Sequence, residues 1–119
     1  MSKFVQTDFG NKKQILKFPD HYVNLAITVN DAGVTANADG KKIVPAGTIM
    51  GGGVIADATK KSVKSNDANA EGVLFTDVDV TYGPASGALL IHGFVDLAKL
   101  PEAPAAAAVT ALKQITFIA

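Results

Sequence analysis

The chain has 119 residues, with eleven lysines and no arginine set against eleven acidic residues, so it reads as one domain of zero net charge. Without arginine there is no planar fork for bidentate recognition of phosphates or base edges, which argues against a nucleic-acid partner. The absence of cysteine excludes a disulfide, a thiolate nucleophile and a Cys-ligated zinc. Charged residues make up 18% of the chain, below the roughly 25% usual in soluble domains. That pale surface suggests a face that meets a partner. The start "MSKFVQTDFGNKKQ" carries no apolar stretch of signal-peptide length. The expectation is a soluble product of the cytoplasm with no membrane contact.

Residues 1–21 mix the single aromatics Phe4, Phe9 and Phe18 with Lys, Asn, Gln and Asp and show no sustained period. They read either as an N-terminal arm that orders on another surface or as a strip lying on its own core. From Tyr22 the pattern sharpens. Val23, Leu25, Ile27 and Val29 alternate with Asn24, Ala26, Thr28 and Asn30, the period of a half-buried strand. "NDAG" (30–33) and "NADGKK" (37–42) are turn chemistry, and short hairpin strands are expected at about 34–37 and 41–44 around Asp39-Gly40. Pro45 and Gly47 break the chain before Thr48, Ile49 and Met50, and 57–71 reads as a polar loop that adds nothing to a core.

Over 72–83, Val78, Val80 and Tyr82 alternate with Asp77, Asp79 and Thr81, which predicts one more strand. After the turn "GPASG", the run "ALLIHGFVDL" is apolar on both faces, as a central strand would be. Pro101 and Pro104 bracket a break, "PAAAAVTALK" has the composition of a helix with Pro104 near its first turn, and "QITFIA" closes the chain as a strand. The fold class is therefore mainly β, a β-rich α+β domain over 22–119, with one short helix toward its end.

"VPAGTIMGGGVIADA" (44–58) holds glycines at P-loop spacing, but Gly53 and Val54 stand where the lysine and the hydroxyl belong. Gly51, Gly53 and Ala56 meet the looser dinucleotide pattern, yet no helical stripe follows them. These glycines read as a bend that lets backbones approach closely. Ser86 in "GPASG" misses the nucleophile-elbow pattern by one place and reads as a turn serine. His21, beside Asp20, and mid-strand His92 have no metal-ligand spacing with Asp77 or Asp79, and the bland reading is a hydrogen-bonded histidine. Asp77 and Asp79 share a strand face, which a solvated edge explains without acid–base chemistry. No catalytic residue, metal or cofactor is expected, and the reading is not an enzyme.

What remains resembles a known group. "VPAGTIM", then "EGVLFTDVDVTYGPASGALLIHGFVDLAKLP", then an Ala-rich helix and a terminal strand are similar to tailed-phage head-decoration proteins of the lambda type and to the capsid-attaching base of phage head-fibre proteins. The matching pieces are the turn Pro45–Gly47, the start Gly72-Val73-Leu74, the strand Asp77-Val78-Asp79, and Gly87–Gly93 with the following "FVDLAKLP", all within residues 43–119. The resemblance implies a small compact β-barrel or β-tulip-like domain, a homotrimer, and attachment to the phage major capsid protein at threefold positions of the head. It implies a place on the virion surface after synthesis in the host cytoplasm. Phe4, Phe9 and Phe18 are the expected capsid-binding residues of the arm. Nothing after Ala119 is long enough for a fibre, so a plain decoration protein is expected. The alternative is a small carbohydrate- or ligand-binding β module, which would show a concave apolar pocket with convergent polar groups.

Overall fold

A computed structural model describes residues 15–18 and 21–119. Strand β1 (Val23–Val29) forms on the predicted alternation, with Ile27 and Val29 buried and Asn24, Ala26 and Thr28 facing out. The short strands β2 (Ile43–Val44), β3 (Ile49–Gly51), β4 (Val63–Lys64), β5 (Gly72–Leu74) and β6 (Val78–Asp79) follow. Then come β7 (Ala85–Asp96), a 3-10 turn at Leu97–Lys99, the helix α1 (Ala106–Ala111) and β8 (Ile115–Ile118). The chain is mainly β with one short helix near its end, as the pattern predicts. Among the described residues no helix is long and apolar enough to cross a membrane.

The main sheet runs β1-β7-β5-β3-β4, every pair antiparallel, and β8 joins β7 in parallel. Its two outer strands meet. Val29 at the end of β1 forms a parallel bridge with Ser62 just before β4, through Asn30 N–H to the Ser62 carbonyl (2.9 Å) and Ser62 N–H to the Thr28 carbonyl (2.8 Å). The sheet thus closes on itself at this end, which removes an open edge. The pair β2–β6 is a separate two-stranded ribbon.

Two apolar cores flank β3, β5 and β7. One holds Ile27, Val29, Met50, Leu74 and Leu89, and the ribbon residues Val44 and Val78 close over it. The other holds Ile49, Val73, Leu90 and Val95 under Ala108 of the helix, with Ile15, Leu16 and Ile115. Each of the three strands therefore sends consecutive side chains to different cores: Ile49 and Met50, Val73 and Leu74, Leu90 and Leu89. This is why "ALLIHGFVDL" is apolar on both faces. Strand spacing there needs Gly72, because a Cβ on it would lie 2.5 Å from the Leu90 carbonyl oxygen. The register of β1 on β7 shifts between Asn24↔Leu90 and Val23↔His92, so Ile91 is an extra residue. That bulge reverses the alternation, and Leu90 and Val95, of opposite parity, both reach the helix-side core.

Several local expectations need correction. The turn at Asp39-Gly40 forms, with Gly40 at φ 75° and Asn37 N–H donating to the Lys41 carbonyl (2.8 Å), but the strands expected on either side of it do not pair: 34–37 is not a strand, and Val44 finds its partner in Val78. The segment 57–71 does contribute to the interior, since Ser62 and Ala70 are buried. Ser62 tolerates this because its hydroxyl donates to the Gly51 carbonyl at 2.9 Å. Residues 72–83 form two strands in different sheets rather than one, and Tyr82 is fully exposed instead of sharing the buried face of Val78 and Val80. Asp77 breaks the run by accepting the Ala46 amide at 2.7 Å. Ser86 lies in β7 opposite Thr28, the turn being set by Gly83 at φ 128°. Pro104 precedes the N-cap residue Ala105, and Asn66 holds that end by accepting the Ala105 amide and donating to the Ala103 carbonyl.

Candidate functional site

The glycine run Gly51–Gly53 ends β3 and turns the chain with positive φ at Gly52 (105°) and Gly53 (79°). Successive amides then point inward together, the concave arrangement that receives anions. The loop does hold an anion, and it belongs to the protein. Glu71 accepts from Gly53 N–H and, at 3.0 Å, Val54 N–H on one carboxylate oxygen, and from Ile55 N–H at 3.2 Å on the other. Strand pairing delivers it there, since Glu71 N–H donates to the Met50 carbonyl at 2.8 Å, next to the glycine end of β3. The bend expected at these glycines is present. Glu71 was not evident from sequence because its contact with the glycines depends on that β3–β5 register.

The other chemical candidates separate. The Asp77 carboxylate is taken by the Ala46 amide. Asp79 accepts from both the Thr81 amide and hydroxyl, and these bonds hold its carboxyl below the ordinary range. His21 and His92 meet each other instead of an aspartate, with their Nε2 atoms 3.0 Å apart. His92 Nδ1 lies 3.2 Å from the Gln114 side-chain oxygen. Among the described residues no three His, Cys, Asp or Glu side chains converge on one point.

Phe4 and Phe9 lie outside the described residues. Phe18 is half-exposed and meets Phe94 edge-on at 5.6 Å between centroids. Just before β1, Tyr22 stacks on Phe75 at 5.3 Å. Gly93 leaves room for Tyr22, for a Cβ on it would come 3.3 Å from the Tyr22 Cβ. The result is a partly exposed aromatic strip where the N-terminal segment joins the domain. The segment itself is anchored below Phe18: Leu16 bridges Val95, Lys17 N–H donates to the Phe94 carbonyl (2.8 Å), and Ile15 accepts from Asp96 N–H (2.8 Å).

No protein-family model matches this chain, and no curated protein matches it. A pocket of about 340 Å³ opens between the ribbon and β3–β4, with Val34, Ile43 and Met50 among its apolar walls and Asn30, Lys64 and Glu102 among its polar ones. These polar groups have partners within the chain. Lys64 pairs with Glu102 at 2.6 Å, and the Asn30 side-chain oxygen accepts from Ala32 N–H.

Proposed function

We propose that the protein is a virion structural protein, a homotrimer that binds the outer surface of a phage head at threefold positions and reinforces it without chemistry. The observation that carries this reading is how the pieces of the resemblance fit one another in space. Gly47 of the Pro45–Gly47 turn donates to the Leu74 carbonyl (2.8 Å), and its Cα faces Leu100 and Pro101 of "AKLP" so closely that a Cβ would lie 2.9 Å from the proline ring. Ala46 of the same turn donates to Asp77, while Gly87 packs on Val78 and Gly72 on Leu89. Segments spread over residues 45–101 are thus mutual packing partners.

The aromatic strip of Phe18, Phe94, Tyr22 and Phe75 supplies a surface for the capsid protein, alongside the proposed binding residues Phe4 and Phe9 earlier in the chain. Three such surfaces on a trimer engage together, so that modest single contacts gain through effective concentration. Light scattering of the free protein at micromolar concentration should report three chains, and the protein should co-sediment with heads that lack it. A monomer that stays in the supernatant would falsify the reading. The second reading, a ligand-binding module, draws on the 340 Å³ pocket, a size that suits a small molecule. A glycan array with binding lost on Ile43→Trp, a half-exposed pocket position, head binding being absent, would favour it instead.

A further inference from the structure

We propose that His21 and His92 form a chelating pair for a divalent transition-metal ion of the copper or nickel type. Their Nε2 atoms face each other at 3.0 Å, with the rings 4.9 Å apart between centroids and inclined at 73°. For metal–nitrogen bonds of about 2.0–2.1 Å, this separation subtends roughly 90–97° at an ion placed between them. That is the angle of neighbouring ligands in square-planar or octahedral coordination, which copper and nickel adopt. A tetrahedral zinc would need the nitrogens a few tenths of an ångström further apart.

Protonation favours the same assignment. A carboxamide oxygen only accepts, so the Gln114 oxygen at His92 Nδ1 places the hydrogen there and leaves the Nε2 lone pair free. An outer hydrogen bond of this kind also orients a ligating imidazole and raises its basicity. In the metal-free pair His21 Nε2–H donates to His92. On binding, His21 carries its proton on Nδ1 instead, and both lone pairs face the ion.

The backbone holds both rings in place. His92 sits in β7 opposite Val23, two residues after His21. Gln114 is tied to the same strand through Gly93 N–H, which donates to the Gln114 carbonyl at 3.2 Å. Gly93, at φ 154°, also leaves room for Tyr22 beside His21, since a Cβ there would lie 3.3 Å from the Tyr22 Cβ. Among the described residues no third His, Asp or Glu converges on the pair, so water takes the remaining positions and the site is open and of moderate affinity. A bound ion would staple the N-terminal segment to β7.

The test uses the full chain without a purification tag, titrated with copper and with nickel chloride by calorimetry. Because the chain has only two histidines, the double variant His21→Ala/His92→Ala gives the baseline, including any binding at the amino terminus. The expected result is one site per chain, weakened at least about tenfold by either single variant and several-fold by Gln114→Ala, with Gln114→Glu retaining affinity. Zinc should bind more weakly than copper. Circular dichroism confirms that each variant is folded, and electron paramagnetic resonance of the copper complex should show two equivalent nitrogens in the wild type. Wild-type binding no tighter than that of the double variant, or full affinity in either single variant, overturns the proposal and leaves the pair as a hydrogen bond.

Discussion

Leu89 and Leu90 are adjacent in sequence, yet each is fully buried in a different core, Leu89 with Met50 and Leu74 inside the closed sheet and Leu90 with Ile49 and Val73 beneath the helix. The central strand is therefore what couples the two halves of the interior. Replacing either leucine by Ala should cost about 2–5 kcal/mol, as expected for deletion of a fully buried aliphatic side chain. Urea unfolding of both variants should remain a single transition with probes on either side, because a loss in one core is transmitted through β7 to the other. Two separated transitions in the Leu90→Ala protein would show that the cores fold independently.

Glu71 satisfies the amides of the glycine loop from within by accepting their hydrogen bonds. Glu71→Ala should destabilise the fold by about 1–3 kcal/mol by leaving these donors without their acceptor, and Glu71→Gln should cost less because an amide oxygen still accepts. Val at Gly51 or Gly52 should be worse tolerated than Val at Gly53. A Cβ would meet the Asn69 carbonyl at 2.6 Å at Gly51 and the Lys61 carbonyl at 2.7 Å at Gly52, whereas at Gly53 it meets only the flexible Lys60 side chain at 3.3 Å and the cost is the backbone strain of φ 79°. Thermal melting ranks these variants. Nucleotide affinity should be undetectable in the wild type, and micromolar binding of ATP or NAD would show that an external phosphate displaces Glu71.

β1 was legible because burial imposes its period of two directly, and the central strand because both of its faces are covered, which leaves it apolar throughout apart from a few polar positions such as His92. The closing contact at Ser62 was not legible. It lies in a polar stretch, and what buries it is backbone pairing with Thr28 and Asn30 together with one hydroxyl bond to Gly51. Tyr82 misled for a related reason, since an alternating pattern persists across the break that Asp77 and Asp79 impose through side-chain bonds to backbone. The candidate site divides in the same way. The glycine bend was visible in composition, whereas Glu71 and the His21–His92 pair come together only through strand register, the histidines from 71 positions apart.

Acid should weaken the fold through three exposed carboxylates. Asp57 and Asp79 are held below the ordinary range by Thr59 and Thr81, and Glu102 by hydrogen bonding and charge attraction from Lys64. A carboxyl depressed in the folded state contributes stability above its unfolded value, and that contribution is lost as the pH falls below about 4 and through the lowered folded value. Each effect is small because the groups face solvent. Urea midpoints should therefore fall as the pH drops below about 4, with Asp79→Asn flattening that acid limb. For the Lys64–Glu102 pair, raising the salt should narrow the difference between wild type and Glu102→Gln at pH 7.

The N-terminal segment should divide functionally at Ile15. Ile15 and Leu16 are buried in the helix-side core and tied to Val95 and Asp96, so a chain lacking residues 2–18 loses core side chains along with the arm. A chain lacking only residues 2–14 keeps them. If the arm with Phe4 and Phe9 binds the capsid, this shorter deletion should leave a folded trimer of nearly unchanged melting temperature that decorates heads poorly, while the longer one melts markedly earlier. Phe18→Ala is the complementary variant, since it removes an exposed ring from the aromatic strip and leaves the anchor below it intact. Head binding weakened by Phe18→Ala but unaffected by loss of residues 2–14 would move the attachment surface from the arm to the strip. Head binding unaffected by both would place attachment elsewhere on the β domain.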